Sequence, residues 1–105
     1  MQGKKLCEVL PRFAALTTLY LGGNSIGHEG AIAIAEALKV TAVLTELNLR
    51  LSSIGPEGAI AIAEALKVNA VLTKLDLLYN SNMREAGKKA VRDAVKDRSG
   101  FVLQL

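Results

Sequence analysis

The sequence is poor in the residues on which small secreted domains and membrane proteins depend. Its 105 residues include one cysteine, no tryptophan and only two prolines. A single cysteine, Cys7, cannot form an internal disulfide, so the chain lacks the disulfide framework of small secreted domains. No apolar run approaches the roughly 18 residues needed to cross a bilayer. The length allows one domain, and we expect a soluble cytoplasmic protein.

Aromatic residues are also scarce, and most of the apolar residues are Leu and Ala of a repeated segment. They make up 4% of a chain that is 50% apolar, so the core must be built from small aliphatic side chains. Residues 16–43 and 44–71 are identical at 21 of 28 positions, and both are rich in Leu and Ala. Self-similarity at a fixed period of this length is characteristic of solenoid proteins.

A third copy and two partial copies complete the chain. The third copy begins at Leu72 and aligns best with one extra residue near Asn82, which sets Gly87 under Gly58. Residues 5–10 overlay residues 33–38, the helical part of repeat 1. We therefore divide the single domain into a partial N-terminal helical cap (1–15), repeat 1 (16–43), repeat 2 (44–71), repeat 3 (72–99) and a terminal strand (100–105).

Each repeat has two halves with different hydrophobic periods. In repeat 2, Leu47 and Leu49 alternate with polar residues, as in a strand with one buried face. Pro56 then begins a helix, in which small apolar residues fall at i, i+3, i+4 and i+7: Ala59, Ile62, Ala63 and Leu66. A strand, a helix and a return to the next strand form a right-handed unit. The sequence therefore predicts an α/β fold, a right-handed βα solenoid forming a short horseshoe segment, with a parallel sheet of three to four strands on the concave face and helices on the convex face.

The residues at the start of the first repeat carry a family resemblance. The pattern Leu-x-x-Leu-x-Leu-x-x-Asn-x-Ile occupies positions 16, 19, 21, 24 and 26. It resembles the leucine-rich repeat. The 28-residue period and the helix sequence GAIAIAEALK are similar to the ribonuclease-inhibitor-like subclass, shared with the repeat domains of nucleotide-binding immune receptors. The resemblance covers essentially the whole chain and implies a module that mainly binds other proteins.

One position of the middle repeat departs from the family pattern. The family's asparagine, whose amide bonds backbone groups of adjacent turns, stands at Asn24 and Asn80, but the middle repeat has Ser52. The shorter serine should lose a hydrogen bond worth roughly 1 kcal/mol. Beside it, Leu51 replaces Gly23 of repeat 1. Two interpretations stay open: the middle loop contacts something apolar, or drift has damaged one repeat.

The candidate binding surface is the concave strand face, formed by side chains that alternate with the buried strand leucines. Stacking the repeats gives three columns, Thr18–Glu46–Lys74, Tyr20–Asn48–Asp76 and Gly22–Arg50–Leu78, with Gly23, Leu51 and Tyr79 at the rim; Val102 and Gln104 would extend the first two. Tyr and Arg are favoured anchors in protein interfaces. The candidate partner-binding residues are Tyr20, Glu46, Asn48, Arg50, Leu51, Lys74, Asp76, Leu78 and Tyr79. The alternative is a solvated strand surface, on which Glu46 and Lys74 form a cross-strand pair worth under about 1 kcal/mol.

The formal net charge of +3 is concentrated in the last repeat. Residues 84–98 hold six basic and three acidic side chains, and Lys88, Arg92 and Lys96 share one helix face. This segment is either a patch for acidic partners or nucleic acid, or the polar outer face of a terminal capping repeat. Because acids are interspersed and no aromatic residue is available for base stacking, capping is favoured over nucleic-acid binding.

Several segments resemble chemical motifs but lack residues that the chemistry requires. Residues 22–27 (GGNSIG) lie between strand and helix as a phosphate loop does, but His28 and Glu29 follow where a Walker loop requires Lys and Ser or Thr. His28 is the only histidine and is replaced by Pro56 in the next repeat, which predicts a solvated loop residue. Cys7 aligns with helix alanines, which predicts an inert buried thiol. We expect no catalytic, metal or cofactor site.

These observations favour a non-enzymatic module that binds a protein partner through the concave strand face. The main alternative is a structural or self-assembling repeat scaffold, or a fragment of a larger repeat receptor without its own ligand. Regulation of a small GTPase is a weaker alternative, since one activator family has similar repeats. The open edge of the terminal strand also predicts a weak homodimer through the end of the solenoid, and no membrane partner is expected.

Overall fold

Strands and helices alternate along the chain. The computed structural model describes residues 18–23, 26–41 and 43–105. The elements are β1 (Thr18–Tyr20), α1 (Gly27–Leu38), β2 (Glu46–Asn48), α2 (Pro56–Val68), β3 (Lys74–Asp76), a 3₁₀ helix (Ser81–Met83), α3 (Arg84–Val95) and β4 (Val102–Gln104). The strands form one parallel four-stranded sheet in sequence order, and α2 packs against both α1 and α3. The predicted α/β solenoid is confirmed. The expected N-terminal cap and Cys7 lie outside the described residues.

The core is aliphatic and lies between the sheet and the helices. The central leucines of the four strands, Leu19, Leu47, Leu75 and Leu103, are aligned in register. On α2, the predicted apolar face is buried along its whole length. No aromatic ring belongs to the buried core of the described chain, and Phe101 packs against it only in part. Small side chains repeated at fixed spacing therefore supply the packing that large rings supply in many small domains.

Neighbouring helices approach so closely that glycine is required between them. A Cβ atom added to Gly58 would lie 2.7 Å from the Cβ of Ala31, and one added to Gly87 would lie 3.0 Å from the Cβ of Ala59. Ala59 is the repeat equivalent of Ala31, so the two glycines hold equivalent places. The predicted extra residue of repeat 3 is thereby confirmed, and the 3₁₀ helix that precedes α3 accommodates it.

The start of α1 corrects one expectation about His28. The side chain is exposed, as expected, but the residue lies in the first turn of α1 and not in a loop. The reason is that α1 already begins at Gly27, so His28 takes the place that Pro56 holds in the first turn of α2.

Candidate functional site: the concave strand face

The strand register builds the predicted columns. Thr18, Glu46, Lys74 and Val102 are successive partners across the sheet, and so are Tyr20, Asn48, Asp76 and Gln104. The alignment of both columns, with Val102 and Gln104 as their last members, is confirmed. Because the strand centres face the helices, the column residues lie on the opposite face of the sheet.

The carboxylate of Glu46, in repeat 2, contacts one side chain from repeat 1 and one from repeat 3. The Tyr20 hydroxyl donates a hydrogen bond of 2.5 Å to Glu46 Oε2, and Lys74 Nζ lies 4.0 Å from the same oxygen. The hydrogen bond to Glu46 and the negative charge of that carboxylate raise the pKa of Tyr20, because ionisation would remove the donated proton and set two negative charges together. The Tyr20 ring is nevertheless 64% exposed, so it can contact a partner.

A second network fixes Arg50 at the end of β2. Asn48 Oδ1 accepts a hydrogen bond of 3.1 Å from the Arg50 N–H, and Asp76 Oδ1 accepts one of 3.0 Å from the Leu78 N–H. These are the same local turn in successive repeats, formed because short polar side chains readily bond the backbone two residues on. The second oxygen of Asp76 accepts a hydrogen bond from Arg50 Nε. The Asp76 side chain is 3% exposed and that of Arg50 is 44% exposed, so Asp76 orients Arg50 and Arg50 is the one that faces solvent.

The rim of the face has an unusual backbone. Gly23, Leu51 and Tyr79 occupy the same position of successive repeats, and all three have positive φ, at 79°, 52° and 64°. This left-handed conformation suits glycine and costs a bulky residue about 1–2 kcal/mol. Leu51 is 60% exposed and Tyr79 is 67% exposed. Their place at the rim agrees with the sequence prediction, whereas the strain was not predicted; the glycine at this position in repeat 1 is its only signal in the sequence.

In the described ranges, no group of three or more His, Cys, Asp or Glu side chains is placed to hold a metal ion. No helix among the same residues is long and apolar enough to cross a membrane.

Comparison with known families identifies the repeat. A family model described as a leucine-rich repeat matches residues 15–35 and 42–63. These two segments are similar to leucine-rich repeats. Each match includes a strand of the sheet and the first part of the helix that follows it. No curated protein matches the chain. Leucine-rich repeats generally mediate protein–protein interaction and are typically non-enzymatic.

Asn80, which repeat 3 has at the asparagine position of the pattern, bonds backbone groups of the adjacent turn. In repeat 3, Asn80 Oδ1 accepts hydrogen bonds from Ser52 N (2.9 Å) and Ile54 N (3.2 Å), while Nδ2 donates to three carbonyls, those of Leu49, Leu77 and Leu78. In repeat 2, the buried Ser52 hydroxyl donates a hydrogen bond of 3.2 Å to Arg50 O. Asn24 lies outside the described residues, so the loss of a hydrogen bond at Ser52 stays a prediction.

Two of the basic side chains of repeat 3 pair with acids of the same helix. Lys89 Nζ lies 2.6 Å from Asp93 Oδ2, and Arg92 Nη1 lies 3.9 Å from Glu85 Oε2. The hydrogen bond from Lys89 lowers the pKa of Asp93. Lys96 follows the end of α3, so the expected basic helix face is shorter than predicted. The internal pairing fits a polar outer surface at the end of the array.

Proposed function

We propose that the chain is a non-enzymatic recognition module that binds a protein partner through the concave strand face. One observation carries the proposal: Tyr20, in β1, and Arg50, in the turn that follows β2, are exposed and preorganised anchors. Tyr20 is held by Glu46, and Arg50 is held by the buried carboxylate of Asp76. Side chains that are ordered before binding lose less conformational entropy when the partner arrives, and Tyr and Arg are enriched among the residues that dominate interface energies.

The helices and the cysteine content support two finer proposals. The helix of each of the first two repeats is a full one, of 12 residues in α1 and 13 in α2, which supports the ribonuclease-inhibitor-like subclass. A single cysteine leaves the fold independent of disulfides, which supports a cytoplasmic location.

The test compares two matched double variants in a quantitative pull-down from cell lysate. Tyr20→Ala with Arg50→Ala removes the anchors, while Ile60→Ala with Val68→Ala removes two exposed apolar side chains from α2. The proposal expects a discrete set of bound proteins that is lost in the first variant and kept in the second. Retention by the first variant would contradict the proposed face.

The same experiment separates recognition from a scaffold role. Among the described residues, no strand pairs with the edge of β4 that faces away from β3, and such an edge can add a strand from another chain. If wild-type protein recovers only itself, and light scattering shows self-association that rises with concentration, the scaffold alternative replaces recognition.

A further inference from the structure

On the concave strand face, the acids are more deeply buried than the bases that pair with them. The Asp76 side chain is 3% exposed and that of Glu46 is 26% exposed. Their partners, Arg50 and Lys74, are 44% and 41% exposed. The two acids and two bases balance in formal charge, but the charge that the face presents to solvent is positive. A positive surface is complementary to an acidic partner and disfavours a basic one.

The two carboxylates are also occupied by donors of the fold itself. Asp76 Oδ1 accepts a hydrogen bond from the Leu78 N–H, and Oδ2 accepts one from Arg50 Nε. Glu46 Oε2 accepts the bond from the Tyr20 hydroxyl. A cationic side chain of a partner would have to compete with these bonds, so the face offers little to a basic segment.

The guanidinium of Arg50, in contrast, is held at one edge only. Its Nε donates to Asp76, and within the described part of the chain no acceptor bonds Nη1 or Nη2. The two Nη groups carry the N–H donors of a planar and permanently charged fork, which binds a carboxylate through two parallel hydrogen bonds. The cations of α3 are not oriented in this way, because the acids that pair with Lys89 and Arg92 are themselves exposed.

The Tyr20 ring lies diagonally across the sheet from Arg50. Tyr20 pairs with Asn48, and the ladder continues beyond the strands, where the Gly23 N–H donates to Arg50 O at 2.9 Å. Arg50 is two residues beyond Asn48, so strand spacing and rise put its Cα roughly 8 Å from that of Tyr20. Side chains at i and i+2 of an extended segment are about 7 Å apart. Two such side chains can therefore reach Arg50 and Tyr20 together.

We infer that Arg50 binds an acidic side chain of the partner, and that an apolar side chain two residues away in the same extended segment packs on the Tyr20 ring. The carboxylate accepts hydrogen bonds from Nη1 and Nη2 of Arg50, while Asp76 acts as the positioning residue that holds the guanidinium. The inference rests on the proposed function, because it names the partner chemistry for which the concave strand face is selective.

The experiment is an NMR titration of ¹⁵N-labelled chain with three capped peptides at millimolar concentrations. The first has Asp two residues to either side of a central Leu, with Ser elsewhere; the second has Asn in place of Asp, and the third has Ala in place of Leu. The Asp peptide should shift the backbone amides of Tyr20 and Arg50 and the Nε signal of Arg50. It should bind at least about tenfold more tightly than the Asn peptide and measurably more tightly than the Ala peptide. Its affinity should fall as salt concentration rises.

Two variants separate a carboxylate site from general attraction between opposite charges. Arg50→Lys keeps a positive charge beside the buried Asp76 but lacks the fork, and it should weaken binding of the Asp peptide about fivefold or more. Lys67→Gln removes a positive charge from α2, where Lys67 is exposed and paired with Glu64, and it should leave binding unchanged. The amide spectra show whether each variant is folded, and the comparison of Asp and Asn peptides on wild-type protein needs no variant.

Several outcomes would overturn the inference. They are equal affinity for the Asp and Asn peptides, shifts that avoid Arg50, full binding by Arg50→Lys, or equal losses in Arg50→Lys and Lys67→Gln. If the pull-down still depends on Tyr20 and Arg50 while the Asp and Asn peptides bind equally, the inference fails and the proposed function stands. If no protein partner depends on those two residues, the proposed function fails.

Discussion

Arg98 performs for repeat 3 the task that Asn69 performs for repeat 2. Asn69 Nδ2 donates hydrogen bonds to the carbonyls of Leu38 (2.8 Å) and Thr41 (3.2 Å), at the end of the preceding helix. Arg98 Nη1 donates to the carbonyls of Leu66 (3.3 Å) and of Asn69 itself (3.0 Å). These are the repeat equivalents of the same two groups. Both side chains therefore satisfy carbonyls that a helix end leaves without partners.

The guanidinium reaches further than the amide does. Arg98 Nη2 also donates to the carbonyl of Leu72, and the Phe101 ring lies 4.8 Å from the guanidinium carbon, within the range of a cation–π contact. Burial lowers the pKa of Arg98, and the group stays protonated at neutral pH. One side chain thus ties the end of α2 and the start of β3 to the final turn of the chain.

Removing Arg98 should destabilise the fold. Arg98→Ala deprives three partly buried carbonyls of a charged donor, and we expect a loss of about 1.5–3 kcal/mol in the free energy of unfolding. The measurement is urea denaturation followed by circular dichroism. Arg92→Ala is the matched control, because its side chain is exposed and its ion pair is worth about 0–1 kcal/mol. Equal losses in the two variants would contradict the role of Arg98.

Restoring the family asparagine should stabilise the middle repeat. In Ser52→Asn, the new amide can bond the backbone of repeat 1 as Asn80 bonds that of repeat 2, with a gain of roughly 1 kcal/mol. For a domain of this size that corresponds to a rise of about 4–8 °C in melting temperature, measured by thermal denaturation. Ser99→Asn, in an exposed turn, controls for the change of residue type. If Ser52→Asn fails to raise the melting temperature, drift has not damaged the repeat at Ser52. The interpretation that the loop at Leu51 and Ser52 contacts something apolar is then favoured.

The close approach of adjacent helices predicts a different loss of stability for each of two glycine substitutions. Gly58→Ala should cost about 1–3 kcal/mol through overpacking, even though alanine is the better helix former by about 1 kcal/mol. Gly87→Ala should cost less, because its new Cβ meets the neighbouring Cβ at 3.0 Å instead of 2.7 Å. Denaturant unfolding of both variants measures the order. A larger loss for Gly87→Ala would contradict the predicted order, and a gain for Gly58→Ala would show that the helices can separate freely.

Tyr20 should titrate above its ordinary pKa of 10.0. The chain has two tyrosines, so Tyr79→Phe leaves Tyr20 as the only phenol in an ultraviolet absorbance titration. Adding Glu46→Gln should lower the pKa of Tyr20, because the negative charge is removed.

The same shift predicts the pH range of the stabilising contact. Since folding raises the pKa of Tyr20, the contribution of its bond to Glu46 is complete below the unfolded pKa and is lost as pH rises through the folded one. An identical Tyr20 titration curve with and without Glu46→Gln would contradict the observed bond.

The sequence alone determined the parts of this protein that depend on local periodicity. The solenoid and its strand columns were predicted from the strand spacing of Leu47 and Leu49 and from the apolar face of α2. The extra residue of repeat 3 was predicted from the alignment of Gly87 with Gly58. Each is a property of one repeat or of its comparison with the next. The expectation that failed in detail, the loop position of His28, concerned the boundary of a helix, where local signals are weakest.

The tertiary structure decided which polar side chains are available to a partner and which bond within the fold. From the sequence alone Asp76 is a surface carboxylate, but stacking brings Arg50 to it from the turn that follows β2. From the sequence alone Arg98 is one more base of the capping segment, but its guanidinium bonds carbonyls of the previous repeat. The left-handed backbone of Leu51 and Tyr79 is likewise set by the path of the loops between stacked repeats. These partners lie about one repeat apart along the chain, and only stacking brings them within hydrogen-bonding distance.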